Sequence, residues 1–121
     1  MYNNLELHDL QPRKYAAASI TLHKNGVCCL TWPLDISETV KIYDRTIVKI
    51  QFSKSCIVVT RQREGIPGLH VRRPRSANRL MCSFAANRIP PRSGFVLDGH
   101  TGLVPTVYED KLILEVVNGV S

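Results

Sequence analysis

Between Arg61 and Arg92 the chain carries Arg61, Arg63, Arg72, Arg73, Arg75, Arg79, Arg88 and Arg92, one acid (Glu64) and no lysine. This segment has a net charge of +7, against +6 for the whole chain of 121 residues; residues 1–60 hold +2 and residues 93–121 hold −3. A surface kept soluble by charge mixes lysine with arginine. Arginine alone points to recognition, because its planar fork pairs bidentately with phosphate or a guanine edge and stacks on bases. Neutralising several phosphates also releases their counterions, which drives sequence-independent binding. In Arg72-Arg73-Pro74-Arg75 the proline stiffens a multiply charged loop suited to a phosphate backbone or minor groove. The candidate nucleic-acid-binding residues are therefore Arg61, Arg63, Arg72, Arg73, Arg75, Asn78 and Arg79. Within the basic stretch Phe84 is the only aromatic, so contact with a duplex, DNA rather than RNA, is expected over base stacking.

Other uses of the same charge compete with this reading. The acids Asp98, Glu109, Asp110 and Glu115 near the C-terminus offer partners for intramolecular ion pairs, or for head-to-tail self-association. The alternative function is a protein-interaction module or inhibitor whose basic face docks on an acidic protein. Catalytic patterns are missing: there is no Gly-rich phosphate loop, no G-x-S-x-G elbow and no H-E-x-x-H pair. Asp98-Gly99-His100 reads as a turn, and Cys82, beside the arginines, comes nearest to an activated nucleophile. A non-enzymatic protein without cofactor is expected.

The four cysteines, Cys28, Cys29, Cys56 and Cys82, read as small core hydrophobes of a reducing compartment, so a cytoplasmic location is expected. They form no C-x-x-C pair, and His8, His23, His70 and His100 form no H-x-x-x-H pair, so no metal is expected. Nothing in the sequence has the length and apolarity of a membrane span. The first residues lack the layout of a secretory signal.

The elements that must position the arginines follow from periodicity. Residues 1–15 read as a flexible arm and residues 16–120 as one compact domain, with the Arg-rich segment 61–92 in its middle. Residues 18–32 alternate around Asn25-Gly26. A two-residue turn would mix polar and apolar side chains on each face. A three-residue loop, Lys24-Asn25-Gly26, opposes Leu22 to Cys28 and Ile20 to Leu30 and gives one apolar face, with Gly26 left-handed. Asp35 and Glu38 have capping-box spacing for a short helix over Ile36–Lys41, although irregular chain leading into a strand also fits. A second hairpin spans Thr46–Phe52 and Cys56–Thr60, whose continuous apolar second strand implies burial on both faces, in the middle of a sheet or against a second subunit. Leu69–Val71 is a short strand. Ser76 then caps a helix over Ala77–Asn87 that shows Arg79 and Ser83 on one stripe and Asn78 beside it; a strand over Leu80–Phe84 competes. Leu103–Tyr108 and Leu112–Val117 make a third hairpin around Glu109-Asp110-Lys111, with Pro105 placing the first strand at an edge or bulge. No internal repeat is visible in the residues.

The hairpin through Asn25-Gly26, the apolar strand Cys28–Pro33 ending in proline, the short link, Asp44 and the second apolar hairpin together resemble the AbrB/SpoVT family of DNA-binding regulators. The resemblance covers residues 18–62. It implies that two chains interleave such hairpins into a swapped β-barrel, hence a homodimer, and that basic side chains on exposed strands and loops meet DNA. Lys24, Lys41, Arg45 and Lys54 are the basic residues in that part of the chain. The fold expected is mainly β (a β-rich α+β domain): three hairpins in a small barrel or twisted antiparallel sheet, with one or two short helices. The function expected is that of a small DNA-binding regulator, or an accessory protein of a mobile element or virus.

Overall fold

The computed structural model describes residues 17–75 and 77–117. The N-terminal arm expected over residues 1–15, and Ser76 as a helix cap, lie outside them. Alternation of apolar and polar residues at period two dominates, and the chain accordingly forms strands that bury alternate side chains. These are β1 (Ala18–Leu22), β2 (Val27–Pro33), β3 (Ile47–Phe52), β4 (Cys56–Arg61), β5 (Leu69–His70), β6 (Arg79–Ala85), β7 (His100–Tyr108) and β8 (Lys111–Val116). One helix, α1 (Leu34–Glu38), and 3-10 turns at Ala86–Arg88 and Pro91–Ser93 complete the elements.

All eight strands join one antiparallel sheet in the order β5-β3-β4-β8-β7-β1-β2-β6. Its two ends meet just beyond β5, where Arg72 and Met81 exchange backbone hydrogen bonds of 2.9 and 2.8 Å. The sheet is thus a nearly closed barrel. Its interior is filled by Ile20, Leu30, Trp32, Ile57, Leu80, Leu112 and their neighbours, all without exposure.

The three expected hairpins are present, and the first has the expected register, with Leu22 opposite Cys28, Ile20 opposite Leu30, and Gly26 at φ 81°. Pro105 lies on β7 past the last described pair with β1, where among the described residues only β8 borders it and a residue without an N–H fits. Three expectations are corrected. The segment expected as helix 77–87 is strand β6, because Leu80, Cys82 and Phe84 alternate inward and all seven of its residues pair with β2. A helix there would have left the outer edge of β2 without hydrogen-bond partners. The short helix occupies 34–38, not 36–41. Its N-cap is Pro33 with no side-chain cap, and left-handed Lys41 (φ 59°) stops any extension. Lastly, β4 lies inside the sheet between β3 and β8 and buries Ile57 and Val59 fully, but Cys56, Val58 and Thr60 only in part, so within the single chain its second face is incompletely covered.

The strand ladders also reveal a repeat that the residues hide. The hairpin pairing Val48 with Arg61 and Phe52 with Ile57 recurs as Leu103 with Val116 and Val107 with Leu112. The β1–β7 pairs Ser19–Gly102 and Ala18–Leu103 recur as His70–Ile47 and Leu69–Val48. The pair Thr21–Cys29 recurs as Arg72–Met81. The two remaining ladders map onto themselves, about Val58–Ile113 in β4–β8 and Leu30–Cys82 in β2–β6. A unit of two strand pairs joined by a short helical link, α1 in the first copy and two 3-10 turns in the second, therefore occurs twice in one chain, and a pseudo-two-fold axis interleaves the copies into a single barrel.

Candidate nucleic-acid interface

The turn from Tyr43 to Thr46 is closed by Thr46 N–H donating to Tyr43 O (3.1 Å) and Tyr43 N–H to Thr46 Oγ1 (2.9 Å). Within it Arg45 sits at φ 71°, a region that side chains other than glycine enter at a cost. Three further bonds stitch this turn to the segment after β5. Arg45 N–H donates to Val71 O (2.7 Å), Val71 N–H to Thr46 O (2.8 Å) and Arg73 N–H to Asp44 Oδ1 (2.9 Å). Val71 is buried and anchors the segment, so Arg72 and Arg73 emerge beside Arg45. A 390 Å³ concavity results, lined by Asp44, Arg45, His70, Val71, Arg72 and Arg73. His70 and Arg72 form the ridge shared with a 500 Å³ concavity, whose far wall holds Met81 and Ser83 of β6.

Arg72 faces Met81 across the closing bridge, and Arg79 stands two residues from Met81 on the same face of β6. Such diagonal neighbours lie about 7–8 Å apart. Arg45, Arg72, Arg73 and Arg79 thus share the seam where the barrel closes, all exposed, with His70 among them. Asp44 is the one carboxylate lining it, and one of its oxygens already accepts a backbone N–H. Arg73 donates its Nε–H to Ala77 O (2.9 Å), and among the described residues its outer nitrogens have no hydrogen-bond partner. Among the described residues no guanidinium forms an ion pair with a carboxylate.

The candidate residues are divided by the fold. Arg72, Arg73 and Arg79 lie on the seam, and Arg75 follows on the exposed loop between β5 and β6. Arg61 and Arg63 line a separate 590 Å³ groove with Lys41 and Lys49, which Glu109 and Asp110 of the β7–β8 turn also face. Asn78 turns away to α1: its backbone oxygen accepts Leu34 N–H (3.0 Å), and it shares a depression with Asp35 and Glu38. Arg88 lines a concavity with Phe52, Leu69 and Phe84 between β3 and β6, while Arg92 follows in the second 3-10 turn. Sequence reasoning placed Arg45 only within the family resemblance and His70 not at all; their contribution depends on pairing between β3 and β5 that no local pattern shows.

The symmetry supplies a control on this charge. The seam positions of Arg72, Arg73, Arg45 and Arg79 correspond to Thr21, Leu22, His100 and Val27 on the β1–β2 side. There Thr21 Oγ1 meets His100 Nδ1 at 2.8 Å and Ser19 Oγ meets Thr31 Oγ1 at 3.2 Å. This related seam, which has a four-pair β1–β2 ladder and no left-handed counterpart of Arg45, is built without a single arginine.

The nearest candidates for catalysis are otherwise engaged. Burial, with a smaller contribution from Cys29, pushes the Cys82 thiol up to about 12, and its Sγ faces His70 O at 3.6 Å inside the barrel. Gly99 is left-handed at φ 64°, so Asp98-Gly99-His100 turns the chain into β7. All four cysteines are free. Among the described residues no three His, Cys, Asp or Glu side chains gather as a metal site, and no helix is long and apolar enough to cross a membrane. No family model, curated protein or solved structure matches the chain.

Proposed function

We propose that this is a non-enzymatic nucleic-acid-binding protein that grips the phosphate backbone, of DNA in preference to RNA, through Arg45, Arg72, Arg73 and Arg79, with Arg75 on the adjoining loop. One observation carries the reading: four exposed arginines line one seam of the barrel, while the related seam folds with Thr21, Leu22, His100 and Val27. The related seam does without the charge, and among the described residues these arginines pair with no carboxylate, which supports a role outside the fold. Arg45, Arg72 and Arg73, which line one concavity, suit phosphate oxygens, which accept paired N–H donors. The hairpin–helix–hairpin order of residues 18–61 is also the order that the AbrB/SpoVT resemblance implies. Four free cysteines suit a cytoplasmic setting.

Titration of a random-sequence duplex at several salt concentrations tests this reading. Engagement of the four seam arginines gives a log–log slope of about −3.6, and Arg72→Ala with Arg73→Ala makes it shallower by about 2. Absence of binding at low salt sinks the proposal and favours an acidic protein as the partner of the same seam.

A further inference from the structure

The pseudo-two-fold barrel has two related seams, one closed by a lone bridge and one by a four-pair ladder, and only the first is basic. Resting on the reading above, we propose that a single chain is the complete binding unit and carries one site, which accepts one continuous run of phosphodiester backbone with no dyad of its own. A symmetric pair of basic seams would fit two related half-sites, as two-fold proteins do. Here the second half-site position is filled by Thr21, His100 and Val27. Thr21 and His100 meet at 2.8 Å, so the polar atoms there are directed at each other. Both copies of the repeated unit lie within one chain, and each ladder the axis maps onto itself, β2–β6 and β4–β8, joins one copy to the other. The interleaving that the family resemblance assigns to two chains is met internally.

The test counts bound duplexes. With a short non-palindromic duplex in excess, native mass spectrometry and sedimentation should show one chain carrying one duplex. The variant combining Thr21→Arg, Val27→Arg and His100→Arg copies charge onto the second seam and should carry two. The milder pair Thr21→Arg and His100→Arg serves if the triple variant unfolds, and should raise the fraction of doubly loaded chain. A wild-type chain that carries two duplexes, or that binds only as a dimer, overturns the inference while leaving the arginine seam in place. So does a folded variant that still carries one. Wild type that binds no duplex at low salt overturns the parent reading, and this inference with it.

Discussion

Arg45 is held at φ 71° by a turn and by three hydrogen bonds that join its neighbourhood to the Arg72–Arg73 segment. A left-handed L-residue costs about 1–2 kcal/mol, and glycine returns roughly 0.5–1 of that as unfolded-state entropy. Arg45→Gly should therefore raise stability by about 0.5–1 kcal/mol in denaturant unfolding while weakening duplex binding. Opposed signs in the two measurements would mark a side chain kept for its charge against the preference of its backbone. If binding is unchanged, Arg45 does not belong to the interface. Glycine matters for a different reason at Gly68, where a Cβ would come within 2.7 Å of Val48 O and Ile47 Cγ2. The chain enters β5 there by pressing against the edge of β3, and that approach brings His70 and Arg72 to the seam.

At the scale of elements, α1 is too short to stand alone, and its place is secured from below. Trp32 Nε1–H donates to Ser37 Oγ at 2.9 Å, and Ser37 O–H donates to Ile42 O at 2.7 Å, all within the core. Ser37→Ala orphans the indole N–H and a carbonyl together, so it should cost about 2–3 kcal/mol, read as a lower denaturant midpoint with unchanged slope. The link that α1 opens runs on into the Tyr43–Thr46 turn, so the same change should loosen Arg45. Legibility also divides by element. The first hairpin could be read to the residue, because only one register gives a wholly apolar face. Segment 77–87 could not, because Leu80, Met81 and Phe84 satisfy helical spacing while Leu80, Cys82 and Phe84 satisfy strand spacing. The choice was made by the outer edge of β2, which is distant in sequence and needs a partner.

For the molecule as a whole, the repeat was hidden because its two copies share burial and register rather than residue identity. Strand β2 buries Cys28, Leu30 and Trp32 where β6 buries Leu80, Cys82 and Phe84. The arginine-rich segment was plain in the sequence, but its division was not, since a run of charge does not say which strand edges will carry it. Arg61 and Arg63 face the acids of the β7–β8 turn, whereas Arg72, Arg73 and Arg79 stand on the closing seam. That seam is also the weakest joint in the cylinder. Beside the continuous β2–β6 ladder, the contact of Arg72 with Met81 is a lone rung. Amide exchange should accordingly be faster at Arg72 and Met81 than at Leu30 and Cys82, and bound duplex should slow it. A stave held by one nail is drawn tight by whatever bridges the joint, so a polyanion seated there as proposed would act as a clamp on this cask.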